Sequence, residues 1–247
     1  MMNSTTLRIT PIPVLTIVIA TFNAGVFIKD CLKSIAENVL EPYELIIIDG
    51  KSKDNTLEII NDFTTIKPRI ISEKDNGIYD AMNKGAKLAT GKWVIFLGAD
   101  DRILPTFKTI ISQLKNESTI YYGNCRNGEN HFNGEFSSYK IAKMNLCHQC
   151  IFYPVQVFKK YNYSLKYTVF ADYLLNIQCW GDSNFKKVYK NVDVAYYHME
   201  GFSSITTDPL FKKDKPSLIK KHLGYYIYIR YMFRKFKEGR KRNSNFF

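Results

Sequence analysis

Three unbroken apolar runs limit what this chain can fold into. Residues 14–20, 45–48 and 93–97 are almost wholly aliphatic, β-branched or aromatic. A strand with one wet face alternates apolar and polar side chains, so strands without alternation must be covered on both faces. Helical spacing intervenes. Phe27, Ile28, Leu32, Ile35 and Ala36 share one face of a helix over 26–38, and Leu57, Ile60 and Phe63 share a face of another, capped by Asp54 or Ser52. Ile70 and Ile71 predict a short third strand, 78–89 a helix, Pro105 the first turn of a further helix, and 119–122 a fifth strand. Such alternation builds a parallel, doubly wound α/β sheet over 14–123.

Beyond Gly123 the pattern changes. Gly, Asn, Ser and aromatic residues up to Tyr139 predict hairpins and loops, followed by helix over 153–161, helix over 170–181 and strand over 186–192. No repeat or low-complexity linker divides the chain, so both halves are expected in one domain.

Ligands of open α/β sheets bind at the carboxyl ends of the strands. Polar residues close the successive runs there: Thr21 and Asn23, Asp49, Asp75 and Gly77, then Asp100 and Asp101. All should meet at one rim. The adjacent Asp100 and Asp101 repel each other, and a hard divalent cation shared with substrate phosphates is the common chemical reason for such a pair. Gly50-Lys51-Ser52 looks like the end of a phosphate loop, but Leu45 stands where its first glycine is required, and no G-x-G-x-x-G follows any strand. Kinase, ATPase and dehydrogenase readings therefore lack a phosphate cradle, and a diphosphate would need a carboxylate-bound cation to neutralise it.

The net charge of +12 is concentrated: residues 212–242 hold twelve Lys/Arg against Asp214 and Glu238, a local +10. A basic tail implies an anionic partner. Five cysteines without a secretory signal read as reduced cytosolic thiols. No apolar stretch is long enough to span a bilayer.

Four segments taken together resemble family-2 glycosyltransferases of the GT-A fold: TIVIATFN from Thr16, IIIDGKSKD from Ile46, DNGIYDAMNKG from Asp75 and ATGKWVIFLGADD from Ala89. The resemblance is dense over 14–101 and thinner to about 205. It implies a GT-A nucleotide-diphospho-sugar transferase fold with residues 14–123 as the donor half, 124–210 as the acceptor half and 211–247 as a helical tail. It implies that Thr21 and Asn23 contact the nucleotide, Asp49 the base or ribose, and that Asp75 and Gly77 shape the donor pocket. Asp100 and Asp101 would ligate Mn or Mg on the donor diphosphate. Gly98 replaces the acid usual two positions before Asp100, which leaves the division of work within the pair open. Asp49 could instead cap the following turn.

Inverting transfer needs a carboxylate to take the acceptor hydroxyl's proton. Asp172, in Ala171-Asp172-Tyr173 before an apolar helix, matches the family's base position, with Ala in place of the usual Glu; it could instead stabilise the helix N-terminus. His148 and Gln149, in Cys147-His148-Gln149-Cys150, resemble the acceptor-side segment, here read as a packed strand. A single C-x-x-C is poor evidence for zinc. His198, before a glycine loop, is a further residue placed near the diphosphate or in packing. Residues 218–236 mix aromatic with basic residues in one helix suited to an anionic bilayer surface or to packing on the domain. Nucleic-acid binding has no readable motif.

The expectation is thus a metal-dependent inverting hexosyl- or N-acetylhexosaminyl-transferase. Its donor would be a UDP-sugar and its acceptor linked to polyprenyl diphosphate, and it would be cytoplasmic, on the inner face of the membrane, serving polysaccharide or O-antigen synthesis. The competing readings are a nucleotidyltransferase on a related sheet, which should carry a glycine-rich basic loop after the first strand, and a non-catalytic membrane-binding module.

Overall fold

The unbroken runs become strands covered on both faces. The computed structural model describes residues 12–39, 42–132, 134–197 and 207–240. In chain order they form β1 (Leu15–Thr21), α1 (Ile28–Asn38), β2 (Tyr43–Asp49), α2 (Thr56–Asp62), β3 (Arg69–Ser72), α3 (Ile78–Leu88), β4 (Trp93–Gly98), β5 (Arg102–Ile103), α4 (Phe107–Ile111), β6 (Thr119–Asn127), β7 (Asn130–Phe132), α5 (Ser138–Lys143), β8 (Ile151–Pro154), α6 (Val157–Lys160), α7 (Ala171–Gly181), β9 (Lys186–Tyr196), α8 (Pro209–Leu223) and α9 (Tyr225–Arg240).

The sheet order is β3-β2-β1-β4-β8-β6-β9-β5, with β7 on β6. Strands β3, β2, β1 and β4 are parallel, in register Thr21↔Asp49 and Ala20↔Gly98. Side chains alternate between two cores. Val18, Ile46 and Phe96 face α3 and α7, while Ile17, Ile47 and Ile95 face α1 and α4. Burying each such side chain contributes about 1.5–3 kcal/mol.

The α/β fold with a mostly parallel sheet is as expected, and three elements differ in detail. The parallel run stops at β4, because β8 enters between β4 and β6 antiparallel to both. The residues assigned to a helix over 153–161 divide instead into the end of β8 and the single turn α6. Ile151-Phe152-Tyr153 is a short buried run, and periodicity cannot separate a short buried strand from a helix. The tail is two helices, broken at Gly224, whose φ of +87° an L side chain rarely adopts.

Phe211 and Ile219 of α8 and Tyr231 of α9 join the core that contains α7. The tail therefore packs on the domain. Its outward face still carries Tyr226, Ile229, Phe233 and Phe236, each about half exposed or more. Among the described residues no helix is long and apolar enough to cross a membrane.

Candidate active site

Parallel pairing brings the ends of β1 to β4 to one rim, where the loops after β1 and β2 are bound to each other. Asn23 N donates to Ser52 Oγ at 2.8 Å, and Lys53 N donates to Asn23 Oδ1 at 2.8 Å. Asn23 holds φ +49°, a left-handed conformation that Asn tolerates. Ala24 N donates to Thr56 Oγ1 at 2.8 Å and Gly25 N to Asp54 Oδ2 at 3.0 Å. A Cβ on Gly25 would lie 2.0 Å from Asn55 Oδ1, so a larger residue here would have to displace the Asn55 side chain.

Asp49 is fully buried behind these loops. Ser52 N donates to its Oδ2 at 3.1 Å, Ser72 Oγ donates to the same oxygen at 2.6 Å, and the Ser52 hydroxyl donates to Oδ1. As it stands, Asp49 fixes the rim's loops. Helix α2 has Asn55 as its flanking residue, and the carboxylate serving its first turn is Asp54, which accepts from Thr56 N at 3.1 Å. The Thr21 hydroxyl is buried without a hydrogen-bond partner among the described residues. Asp75 accepts from Gly77 N at 3.0 Å, and its carboxylate fills the space where a side chain on Gly50 would begin. Phe22, 60% exposed, stands at the same rim.

The acid pair divides its roles. Asp101 is buried, accepting from Gly98 N at 2.8 Å on Oδ2 and from Gln149 Nε2 at 3.2 Å on Oδ1. Burial pushes its carboxyl up to about 6, with His148 opposing and Asp100 reinforcing the rise. Asp100 is half-buried, and no hydrogen bond or ion pair engages its carboxylate among the described residues. A Cβ on Gly98 would lie 2.6 Å from Asp100 Oδ1, so the Asp100 carboxylate occupies the room an acid at 98 would need. Among the described residues no group of three His, Cys, Asp or Glu side chains could hold a metal. The residues fit a cation held by one carboxylate and by ligand phosphates, as Mg²⁺ is commonly bound. They do not fit a cage made of protein alone.

Asp172 opens α7 and is 6% exposed. Tyr173 N donates to its Oδ1 at 2.7 Å and Asn145 Nδ2 to its Oδ2 at 2.8 Å. The Tyr79 hydroxyl lies 3.1 Å from Oδ1 and 2.5 Å from the Val169 carbonyl, with one proton for both. A chain of amides sets the Asn145 orientation. Tyr153 Oη donates to Asn176 Oδ1 at 2.6 Å, so Asn176 Nδ2 donates to Asn145 Oδ1 at 2.9 Å, which leaves Asn145 Nδ2 for Asp172.

His148 and Gln149 lie in a 3-10 turn, His148–Cys150, and not in the expected strand, which begins one residue later. His148 Nδ1 is 3.7 Å from Asp172 Oδ2. Burial alone would lower the imidazole pKa, but Asp172, then Asp101 and Asp100, outweigh it and raise the net value. A cleft of about 180 Å³ opens on Asn145, His148, Gln149, Phe170 and Asp172. Cys150 points away from it, its Sγ 2.7 Å from Cys125 Sγ. His198 lies outside the described residues.

Two neighbouring residues thus connect the rim to the start of α7: Gln149 reaches Asp101, and His148 faces Asp172. Sequence reasoning missed Tyr79, Asn145 and Phe22. Tyr79 lies inside the quoted segment from Asp75, but nothing local signals that its hydroxyl reaches a residue 93 positions away.

The model of Glycosyl transferase family 2 matches residues 16–175. A PGL/p-HBAD biosynthesis glycosyltransferase of Mycobacterium bovis is 36% identical over 217 residues, covering 83% of this chain and 84% of the relative. Among solved structures, S. aureus TarS 1-349 in complex with UDP-GlcNAc aligns with a TM-score of 0.67 at 17% identity, over 84% of this chain and 66% of that TarS 1-349 chain. The mannosyltransferase PcManGT from Pyrobaculum calidifontis in complex with GDP-Man and Mn2+ aligns with a TM-score of 0.60 at 13% identity, over 96% of this chain and 66% of PcManGT. At these identities the two structures bear on the fold, which is that of GT-A glycosyltransferases.

Proposed function

The chain belongs to glycosyl transferase family 2, and from that premise we propose that it moves a sugar, with inversion, from a nucleotide-diphosphate sugar to a hydroxyl of a membrane-held acceptor in cell-surface glycan synthesis. One observation carries the reading. The turn at His148 and Gln149 sets a strand-end acid, Asp101, and a helix-start acid, Asp172, on opposite sides of two adjacent residues. A donor diphosphate at the first and an acceptor hydroxyl at the second would meet across that turn.

In this reading residues 14–123 bind donor and 124–210 bind acceptor. The nucleotide rests on the loop holding Thr21 and Asn23, with the exposed Phe22 ring offering a face to the base, and Asp75 and Gly77 bound the pocket. Asp49 acts by fixing that loop. Asp100 presents its carboxylate to the diphosphate and would hold Mn or Mg, which neutralises the leaving group when bound. Asp101, tied on both oxygens, orients the strand end. Asp172 takes the acceptor hydroxyl's proton as the nucleotide leaves, and the Tyr79, Asn145 and Tyr173 donors hold its plane.

The complexes of TarS with UDP-GlcNAc and of PcManGT with GDP-Man and Mn2+ support a nucleotide-sugar donor, with a UDP-sugar as our choice, and a divalent cation. The outward stripe of α9, with Arg230, Arg234 and Lys237 beside Tyr226, Phe233 and Phe236, supports a place on an anionic inner membrane face and a lipid-linked acceptor, for which polyprenyl diphosphate is the chemistry we favour.

The test is thermal stabilisation and nucleotide release with a nucleotide-sugar panel, with and without Mn or Mg. A ligand that binds only the native state raises the melting temperature. One nucleotide sugar should stabilise the protein, more so with metal, and Asp100→Asn should remove the metal increment. No stabilisation by any nucleotide sugar would overturn the reading.

A further inference from the structure

Behind the Asp172 cleft lies a second cavity, of about 170 Å³, between α5, α7, α8 and α9. Asn145 and Phe170 line both, so the two share a wall. Its walls are aromatic and aliphatic, among them Tyr173, Phe211, Tyr231 and Met144, yet Lys215 also lines it. The inward face of α8 reads Phe211, Lys215, Ile219 at a spacing of four, so lysine interrupts an apolar stripe.

Lys215 is 3% exposed. Its Nζ donates to the Lys143 carbonyl at 3.2 Å and sits 4.4 Å from the Tyr173 ring and 5.5 Å from the Tyr231 ring. No carboxylate pairs with it among the described residues; neighbouring Asp214 is taken by Lys166 at 2.6 Å. A buried charge without a counter-ion is costly, and a residue there for packing alone would be apolar. Its bond to the end of α5 uses one of three N–H donors. Lys212 and Lys235, also on the cavity, add positive charge around it.

We propose that this cavity is an acceptor subsite for a phosphate-bearing apolar group, the apolar part lying against Tyr173, Phe211 and Tyr231 and the phosphate pairing with the Lys215 ammonium. The inference rests on the acceptor half assigned above and names what that half recognises. It places the anchor of the acceptor one cavity away from Asp172, on the side of α9 and its exposed aromatic stripe. Burial, and then the charge of Lys235, hold Lys215 down to about 7, as expected of an ammonium lacking an anion.

Calorimetry on the full chain tests it with farnesyl phosphate, farnesol and inorganic phosphate. Farnesyl phosphate should bind wild type, and Lys215→Met should weaken it at least tenfold, with Lys215→Arg recovering part of the loss. Farnesol should bind both proteins alike, and inorganic phosphate should bind far more weakly than farnesyl phosphate. Met144→Trp, at a half-exposed wall position that should not disturb folding, should block farnesyl phosphate by filling the cavity. Equal binding of farnesyl phosphate by wild type and the Met144→Trp variant would overturn the proposal. So would inorganic phosphate binding as tightly as farnesyl phosphate, which would mark a bare anion site. Nucleotide-sugar stabilisation in the same samples separates the two readings. If it persists while Lys215 and Met144 have no effect, this inference alone falls; if no nucleotide sugar binds, the transferase reading falls whatever Lys215 does.

Discussion

At the rim proposed to bind donor, backbone N–H groups donate to side-chain oxygens of the neighbouring loop, as Asn23 N does to Ser52 and Gly25 N to Asp54. In the half proposed to bind acceptor the corresponding bonds run between buried and half-buried side chains: Tyr153 to Asn176, Asn176 to Asn145, Asn145 to Asp172. The first arrangement sets the path of the chain and is ready before a ligand arrives. The second sets the orientation of individual groups on a path fixed by packing. Donor binding should therefore depend on loop geometry, and acceptor chemistry on single side chains that can change without moving the backbone.

The largest expected effect separates the halves outright. Asp172→Asn keeps the volume but removes the proton acceptor, and kcat should fall about 10²–10⁴-fold. Nucleotide-sugar affinity, read by titration, should stay within a factor of two or so, since the Tyr79 hydroxyl, which joins Asp172 to the 14–123 half, can still donate to the asparagine oxygen. A matching loss of donor affinity would break the separation.

Next comes a pH effect confined to the acceptor half. Lys215 is held near 7 in the folded chain against 10.5 unfolded. Between those values the unfolded state binds more protons, so folding stability contributed by this group rises with pH across that window. Denaturant unfolding of wild type and Lys215→Met at pH 7 and pH 10 should show wild type gaining on the variant, on the order of a few kcal/mol. A constant difference between the two would mean that Lys215 is not desolvated.

The same contrast explains what was legible in the sequence. The parallel core was legible because its unbroken apolar runs alternate with segments of helical spacing, and the rim followed because parallel strands share an end. Asp172 was singled out through its match to the family's base position before an apolar helix, not through its partners. Tyr79 and Lys215 were missed because their surroundings come from elements far apart: Tyr79 meets α7, and Lys215 meets the end of α5, 72 residues upstream. The insertion of β8 between β4 and β6 was missed because strand order in a mixed sheet is decided by tertiary packing, to which a run as short as Ile151-Phe152-Tyr153 gives no local clue.

A smaller donor-side effect should come from Ser52→Ala. Ser52 Oγ accepts from Asn23 N and donates to Asp49, so its loss leaves both groups short of a partner. A hydrogen bond to a charged group contributes about 1.5–3 kcal/mol, and part of that should appear as weaker donor affinity, about tenfold, with acceptor KM unchanged. Equal effects on both substrates would show that the loop after β2 serves the acceptor too.

The smallest effect tests the amide chain. Tyr153→Phe removes the donor to Asn176 Oδ1 and keeps the buried ring. Stability should fall by about 1 kcal/mol. The more telling change is in orientation. Without Tyr153 the Asn176 amide keeps its Nδ2 bonds to Asn145 Oδ1 at 2.9 Å and to the Leu146 carbonyl at 3.3 Å, but loses the donor that marks its oxygen end. A flipped Asn176 would set its oxygen against Asn145 Oδ1, and relieving that repulsion by turning Asn145 would point an oxygen at Asp172. In the fraction of molecules so turned, Asp172 loses a donor and its fixed plane. The expected signature is a severalfold fall in kcat with donor affinity intact, and a pH profile of kcat displaced from wild type. Asn145→Asp would impose the same oxygen-to-oxygen contact permanently and should exceed Tyr153→Phe in kcat loss. If Tyr153→Phe costs stability alone, the amides serve packing, and Asp172 is held by Tyr173 N and Tyr79 without them.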